Sequence, residues 1–202
     1  MLAIIDYDAG NIRSVEKACR AVGSQALLTR DPDRILSADH IILPGVGSFG
    51  QAMERLHSYG LVPVIQEAVA REIPFLGICL GLQLLFSFSQ ESPQVSGLGL
   101  LPGGIYRIPE QKGVKIPHIG WNSLSFPREG RLFYGLKEED YVYFVHSYYL
   151  RANDPSIVTS TTQYGGVRMD SSVERGKLFA CQFHPEKSSH VGLRILRNFL
   201  EV

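Results

Sequence analysis

The chain has 202 residues with 20 basic and 20 acidic side chains, so it carries no formal net charge at neutral pH. That argues against nucleic-acid binding through a basic surface, because counterion release needs clustered Lys and Arg. With 45% hydrophobic and 20% charged residues, it has the composition of a globular protein that buries a core without disulfide or metal staples.

The first half alternates strand and helix patterns. Leu2 to Asp6 reads as an apolar strand, and Asp8-Ala9-Gly10-Asn11 as a turn with Asn11 placed to cap the following helix. Ile12, Val15, Ala18, Cys19 and Val22 then recur at helical spacing until Gly23 ends the pattern. Ala26 to Leu28 is a second strand, and Asp31-Pro32 is an N-cap followed by proline at the first helical position. His40 to Leu43 is a third strand, running into Pro44-Gly45-Val46-Gly47. Helical patterns cover Phe49 to Leu56 and Val62 to Glu72, Pro74 to Ile78 is a buried strand, and an apolar helix is expected from Leu80 to about Phe88. Strand patterns dominate afterwards: Gly104 to Ile108, Ile116 to Phe126, Tyr141 to Leu150, Ile157 to Gln163 and Lys177 to Phe183. A last helix is expected over Ser189 to Leu200. This order predicts an α/β fold over residues 1–202 as a single domain. Its open, mostly parallel sheet would carry helices on both faces and be extended by antiparallel strands.

The longest apolar run, Phe75 to Phe88, is too short for a bilayer and is interrupted by Gly77, Gly81, Gln83 and Ser87. No basic segment precedes the apolar start, which Asp6 and Asp8 break, so no secretory signal is read. Cys19, Cys79 and Cys181 are too scattered for a disulfide framework or a zinc site. A soluble, cytoplasmic protein without metal or other cofactor is the expectation.

Two glycine-rich segments carry chemistry. Gly45-Val46-Gly47-Ser48-Phe49-Gly50 fits the dinucleotide pattern G-x-G-x-x-G, but no acidic residue ends the next strand and the segment is not in the first βα unit. What remains is a loop whose backbone N–H groups are able to meet an anion. Gly77-Ile78-Cys79-Leu80-Gly81 has the form of a nucleophile elbow with cysteine in the serine position, between a strand and a helix as that motif requires. The helix N-terminus below Cys79 favours negative charge on its sulfur, and the Leu80 N–H is a natural oxyanion donor. A small buried cysteine at a strand end is the plainer reading, and the flanking glycines weigh against it.

Among six histidines, His184 stands apart because it follows a strand and begins His184-Pro185-Glu186. Proline holds His184 extended, and residues i and i+2 of an extended segment share a face, so Glu186 is placed to orient the imidazole. Nucleophile, base and orienter thus come from two segments leaving the sheet at one edge. A polar turn capping the last helix is the competing account of His-Pro-Glu alone.

Pro44-Gly45-Val46-Gly47, Gly77-Ile78-Cys79-Leu80-Gly81-Leu82-Gln83 and His184-Pro185-Glu186 occur in the order found in the class I (triad) glutamine amidotransferases, flavodoxin-like proteins that the whole chain resembles. Within that class the chain is similar to the glutaminase subunits of imidazole glycerol phosphate synthases, of histidine biosynthesis. The marks are Pro-Gly-Val-Gly where many relatives have Pro-Gly-Gly, Lys187-Ser188-Ser189 after the His-Pro-Glu, and Pro117-His118-Ile119-Gly120-Trp121-Asn122. The Asp6-Tyr7 to Gly10-Asn11-Ile12 start also fits, with Asp8 standing where relatives often have glycine.

The resemblance implies hydrolysis of glutamine to glutamate and ammonia by Cys79, His184 and Glu186, with Val46 and Leu80 forming the oxyanion hole. It implies that Gly45, Gly47, Gln83 and the stretch His146-Ser147-Tyr148 hold the glutamine head group. It also implies a heterodimer with a (β/α)₈-barrel cyclase subunit of the synthase that uses the ammonia, docked on Asn11, Trp121, Tyr143 and Lys187. The alternatives are a glutaminase serving pyridoxal phosphate, anthranilate or GMP synthesis, a cysteine hydrolase or peptidase on the same fold, and a subunit that kept the fold without activity.

Overall fold

The computed structural model describes residues 1–202. The elements in chain order are β1 (Leu2–Ile5), α1 (Ile12–Ala21), β2 (Ala26–Thr29), α2 (Pro32–Leu36), β3 (His40–Leu43), α3 (Phe49–Ser58), α4 (Leu61–Ala70), β4 (Phe75–Ile78) and α5 (Leu80–Leu84). There follow β5 (Phe86–Ser89), β6 (Leu101–Arg107), β7 (His118–Ser123), β8 (Tyr141–His146), β9 (Tyr148–Ala152), β10 (Val158–Tyr164), β11 (Val167–Arg175), β12 (Leu178–Cys181) and α6 (Ser189–Leu200). A ten-stranded sheet runs β2-β1-β3-β4-β12-β11-β9-β6-β5, with β10 paired to β11, and β7 and β8 form a separate hairpin. The stretch from β2 to β12 is parallel throughout, and β12-β11, β11-β9 and β9-β6 are antiparallel.

Strand alternation assigns the two faces. Ala3 and Ile5 of β1 join a core with Met53, Leu56, Ile65 and Ala68 of α3 and α4. Leu2 and Ile4 point the other way, into a core with Val15 and Cys19 of α1 and Ile195 and Phe199 of α6. Both faces of the central strands are covered, which is why those strands read as continuous apolar runs rather than alternating ones. None of these helices is long and apolar enough to cross a membrane.

Four expectations are corrected. The helix from Leu80 stops at Leu84, because the main chain at Leu98 and Leu100 takes the carbonyls of Leu84 and Leu85, and Phe86 then pairs with Leu101 as strand. The run Tyr141 to Leu150 breaks at Ser147 into two strands of different sheets, β8 against β7 and β9 against β6. Strand β11 was not expected; the Gly165-Gly166 turn leads into it, and it joins β10 to β12. Asn11 has left-handed backbone (φ 65°) and makes no side-chain cap to α1, because its amide is engaged at the site described next.

Candidate active site

Parallel strands β4 and β12 lie side by side, so Cys79 and His184 leave the sheet at the same edge. Cys79 joins β4 to α5 with φ 54° and ψ −108°, a conformation that costs an L residue about 1–3 kcal/mol. The surrounding backbone holds it there: the Cys79 N–H donates to the Cys181 carbonyl at 2.8 Å, and the Cys79 carbonyl accepts from Leu82 and Gln83 N–H at 3.0 and 3.3 Å. Glycine is needed two residues further on, since a Cβ at Gly81 would lie 1.9 Å from the Leu43 carbonyl oxygen. The elbow spacing in the sequence is therefore a packing requirement between α5 and β3.

His184 donates its backbone N–H to Tyr143 at 2.9 Å, and its Nδ1 lies 2.8 Å from Glu186 Oε1. Both side chains are almost fully buried, at 2% and 1% exposure. The pair forms although Pro185–Lys187 is a short 3₁₀ turn rather than the expected extended segment; the turn brings the carboxylate back under the ring. Glu186 Oε1 also accepts from Asn11 Nδ2 at 2.9 Å, so Asn11 faces inward and the carboxylate is fixed by two donors. Burial by itself would lower the His184 pKa, but the Cys79 thiol and the Glu186 carboxylate, both interacting with the ring, outweigh it and push the value up to about 10. The imidazole thus carries its proton at neutral pH, with Nδ1 committed to Glu186.

Val46 and Gly47 are exposed at the loop tip, Gly47 in left-handed backbone at φ 104°. The loop is anchored at its start by the Tyr7 hydroxyl, which donates to the Pro44 carbonyl at 2.8 Å. Burial, with Cys79 adding, pushes the Tyr7 phenol far up, so it stays a neutral donor. The Leu80 N–H points at the Gly45 carbonyl at 3.4 Å, so one of the two expected oxyanion donors is covered by an acceptor in this state.

Gln83 is buried beside the elbow, and its Nε2 donates to the Tyr148 carbonyl (3.1 Å) and to Gln182 Oε1 (3.0 Å). His146 has both ring nitrogens occupied, Nδ1 by the Tyr148 carbonyl at 2.9 Å and Nε2 by His118 Nδ1 at 3.1 Å. Its imidazole therefore has no nitrogen left for a ligand. Trp121 and Tyr143 are register partners in the hairpin, with rings 6.1 Å apart, and Lys187 Nζ lies 5.9 Å from the Tyr143 ring. Together with the exposed Ile119 and Tyr141 they make an apolar, cation-edged surface next to His184, which Asn11 does not share through its side chain. The largest cavity, lined by Phe126, Arg131, Phe133 and Tyr134, contains none of these residues.

Reasoning from the sequence missed Gln182 and His118 in this network and the inward bond of Asn11. The available signal for Gln182 was a polar residue within the apolar run Leu178 to Phe183, where a buried amide must find partners.

The profile of the family "Glutamine amidotransferase class-I" matches residues 3–202. The imidazole glycerol phosphate synthase subunit HisH of Moorella thermoacetica is 52% identical over 100% of this chain and 94% of its own length. The HisH subunit of Methanothermobacter thermautotrophicus is 49% identical over 100% of this chain and 98% of its own. A crystal structure of a glutamine amidotransferase superposes with a TM-score of 0.77 at 21% identity, covering 98% of this chain and 97% of that one. The structure of PurLQS from Thermotoga maritima superposes at 0.75 with 20% identity, covering 99% and 97%. Matched over residues 3–202, and about half identical to relatives over 94% and 98% of their lengths, the chain belongs to the class I glutamine amidotransferases.

Proposed function

We infer that residues 1–202 form a single type 1 glutamine amidotransferase domain acting as the glutaminase subunit of imidazole glycerol phosphate synthase, in histidine biosynthesis. The observation that carries this reading is the end-to-end identity of about half with HisH subunits from a bacterium and from Methanothermobacter. The Cys79, His184 and Glu186 constellation supplies its chemistry. Cys79 sulfur attacks the glutamine side-chain carbonyl carbon, forming a C–S bond and an oxyanion. His184 gives its proton to the departing nitrogen as the C–N bond breaks and ammonia leaves. His184 then takes a proton from water as the water oxygen adds to the thioester; the C–S bond breaks and glutamate is released. Glu186 keeps the ring in place throughout. Ammonia protonated in bulk water loses its nucleophilicity, so it has to pass directly to the cyclase subunit of a cytoplasmic heterodimer.

The test is to mix the chain with a cyclase subunit and its nucleotide substrate and supply glutamine as sole nitrogen source. Imidazole glycerol phosphate is expected in step with glutamate; product formed when ammonia is supplied but none from glutamine would remove the assignment. Docking is assigned to the hairpin surface beside His184, because a partner seated there covers the edge where ammonia emerges. Trp121→Ala should weaken binding by about 2 kcal/mol, and Lys187→Ala should lower the ratio of product to glutamate. Alkylation of Cys79 in the isolated chain should be unchanged in both. Normal binding and coupling in both variants would place the partner elsewhere.

The alkaline side of the pH profile follows from His184. A group whose pKa is raised keeps its proton below that value and loses it above, so the proton donor for ammonia departure disappears as pH passes about 10. Plots of kcat/KM for glutamine should therefore fall on the alkaline side near that pH. A fall centred near the ordinary histidine value of about 6.5 would show that Cys79 and Glu186 do not hold the imidazolium.

A further inference from the structure

Two buried carboxamides stand between strand β9 and the nucleophile. Their orientation is set by hydrogen-bond logic rather than by choice. The Tyr148 carbonyl is an acceptor only, so the Gln83 group facing it at 3.1 Å must be the NH₂. The same Nε2 lies 3.0 Å from the Gln182 side chain, which must therefore present its oxygen. With Gln182 Oε1 committed to Gln83, its Nε2 is turned to the Cys79 Sγ at 3.7 Å, a length suited to a large sulfur acceptor. Flipping Gln83 would set oxygen against oxygen, and flipping Gln182 would set NH₂ against NH₂ and oxygen against sulfur, in a region where Gln182 is 1% and Gln83 5% exposed. The other titratable groups interacting with this sulfur are His184, Tyr7 and Cys181. Burial pushes the Tyr7 phenol up, and burial followed by Glu186 pushes the Cys181 thiol well up, so both stay neutral. Gln182 is thus the side chain seen to donate to the sulfur, whereas the buried His184 Nε2 has no hydrogen-bond partner in this state.

We propose that Gln182 is a further catalytic residue, whose Nε2–H donates to the Cys79 sulfur and stabilises it whenever it is anionic. This rests on the reading of Cys79 as the nucleophile. The bond acts at two points of the cycle: when the sulfur is ionised for attack, and when the C–S bond of the thioester breaks and the electron pair returns to sulfur. In the thioester the sulfur is neutral and a poor acceptor, so the donor favours formation of the thiolate at the end of the cycle more than it favours the acyl state. The amide gives up no proton at any step. Gln83 and the Tyr148 carbonyl act through Gln182 as positioning groups: without them the amide is free to turn its oxygen to the sulfur, which would repel the anion.

The experiment is iodoacetamide alkylation of the full-length chain across pH, with the site identified by mass spectrometry, in wild type and in Gln182→Met, which keeps the volume and removes the donor. A hydrogen bond to a charged acceptor is worth roughly a tenfold change in an equilibrium. The pH of half-maximal alkylation should therefore rise by about one unit, with alkylation about tenfold slower on the rising limb and unchanged on the plateau. The Gln182→Glu variant should be displaced further, because a carboxylate repels the thiolate. Superimposable profiles in Gln182→Met and wild type would overturn the proposal. Should the variants fail to fold, nitrogen-labelled wild-type chain decides it. The Gln182 side-chain NH₂ resonances should move when Cys79 is alkylated, and resonances that stay in place would overturn the proposal. Neither readout uses glutamine or a partner, so a failed glutaminase assignment shows separately, as wild-type chain that consumes no glutamine beside the cyclase.

Discussion

Replacing Cys79 by alanine should abolish glutamine-dependent synthesis by the assembled enzyme and leave ammonia-dependent synthesis nearly intact. Only the cleavage of glutamine needs the thiolate; the cyclase accepts ammonia from any source. Nucleophile and base of a triad act as one unit, so Cys79→Ala and His184→Ala should each cost roughly 10⁶-fold in glutamine turnover, and an orienter about 10⁴-fold. Glu186→Gln should fall at or below that smaller figure. Glu186 Oε1 takes two donors, His184 Nδ1 and Asn11 Nδ2, and a glutamine oxygen is able to keep them while losing the charge that supports the imidazolium. The measurement is paired initial rates with glutamine and with ammonium as nitrogen source. Equal loss of both in Cys79→Ala would mean that the residue is structural, or that the two subunits have been wrongly assigned.

The isolated chain should be a poor glutaminase, switched on about a hundredfold or more by the cyclase carrying its nucleotide. The reason lies in one peptide unit. Gly45 contributes its carbonyl, and the next residue, Val46, contributes the N–H on the same peptide plane. In this state the carbonyl faces the Leu80 N–H at 3.4 Å, so the hole offers an acceptor where an oxyanion needs a donor. Rotating that peptide plane exchanges the Gly45 carbonyl for the Val46 N–H and frees Leu80. Pro44 is held by Tyr7, and Gly47 at φ 104° supplies the backbone freedom on the far side. Gaining a single oxyanion donor is worth about 3 kcal/mol, hence the hundredfold figure. The Val46 side chain rests on Gly10, where an added Cβ would lie 2.8 Å from it, and the adjoining Asn11 bonds Glu186. The loop therefore touches the segment that also orients the triad. Steady-state glutaminase rates for the chain alone, with cyclase, and with cyclase plus nucleotide are the check. Full activity in the isolated chain, unmoved by either addition, would remove the gating idea.

Local signals were enough for the parallel half of the fold and for the two chemical segments. The strand His40–Leu43 and the helix Ser189–Leu200 are found at the bounds their patterns predict, because each is a continuous apolar run or stripe closed by its own turn residues. The elbow at Cys79 and the His-Pro-Glu turn were legible because steric rules tie glycine and proline to particular backbone shapes whatever surrounds them. The sequence thus determined the alternating architecture, the candidate nucleophile and its base. Only the tertiary structure decided what depends on partners distant in the chain. Phe86–Ser89 is a strand because β6 offers it an edge, and an apolar run that short carries no period of its own. The run Tyr141 to Leu150 divides at Ser147 because its two halves find different partner strands, in the hairpin and in the main sheet. Asn11 does not cap α1 because its backbone is left-handed and its side chain is turned to donate to a carboxylate 175 residues away. The direction of the Gln182 amide is fixed through Gln83 by a backbone carbonyl on β9; hydrogen bonds join donors and acceptors by position in space, and no spacing along the chain encodes that closure.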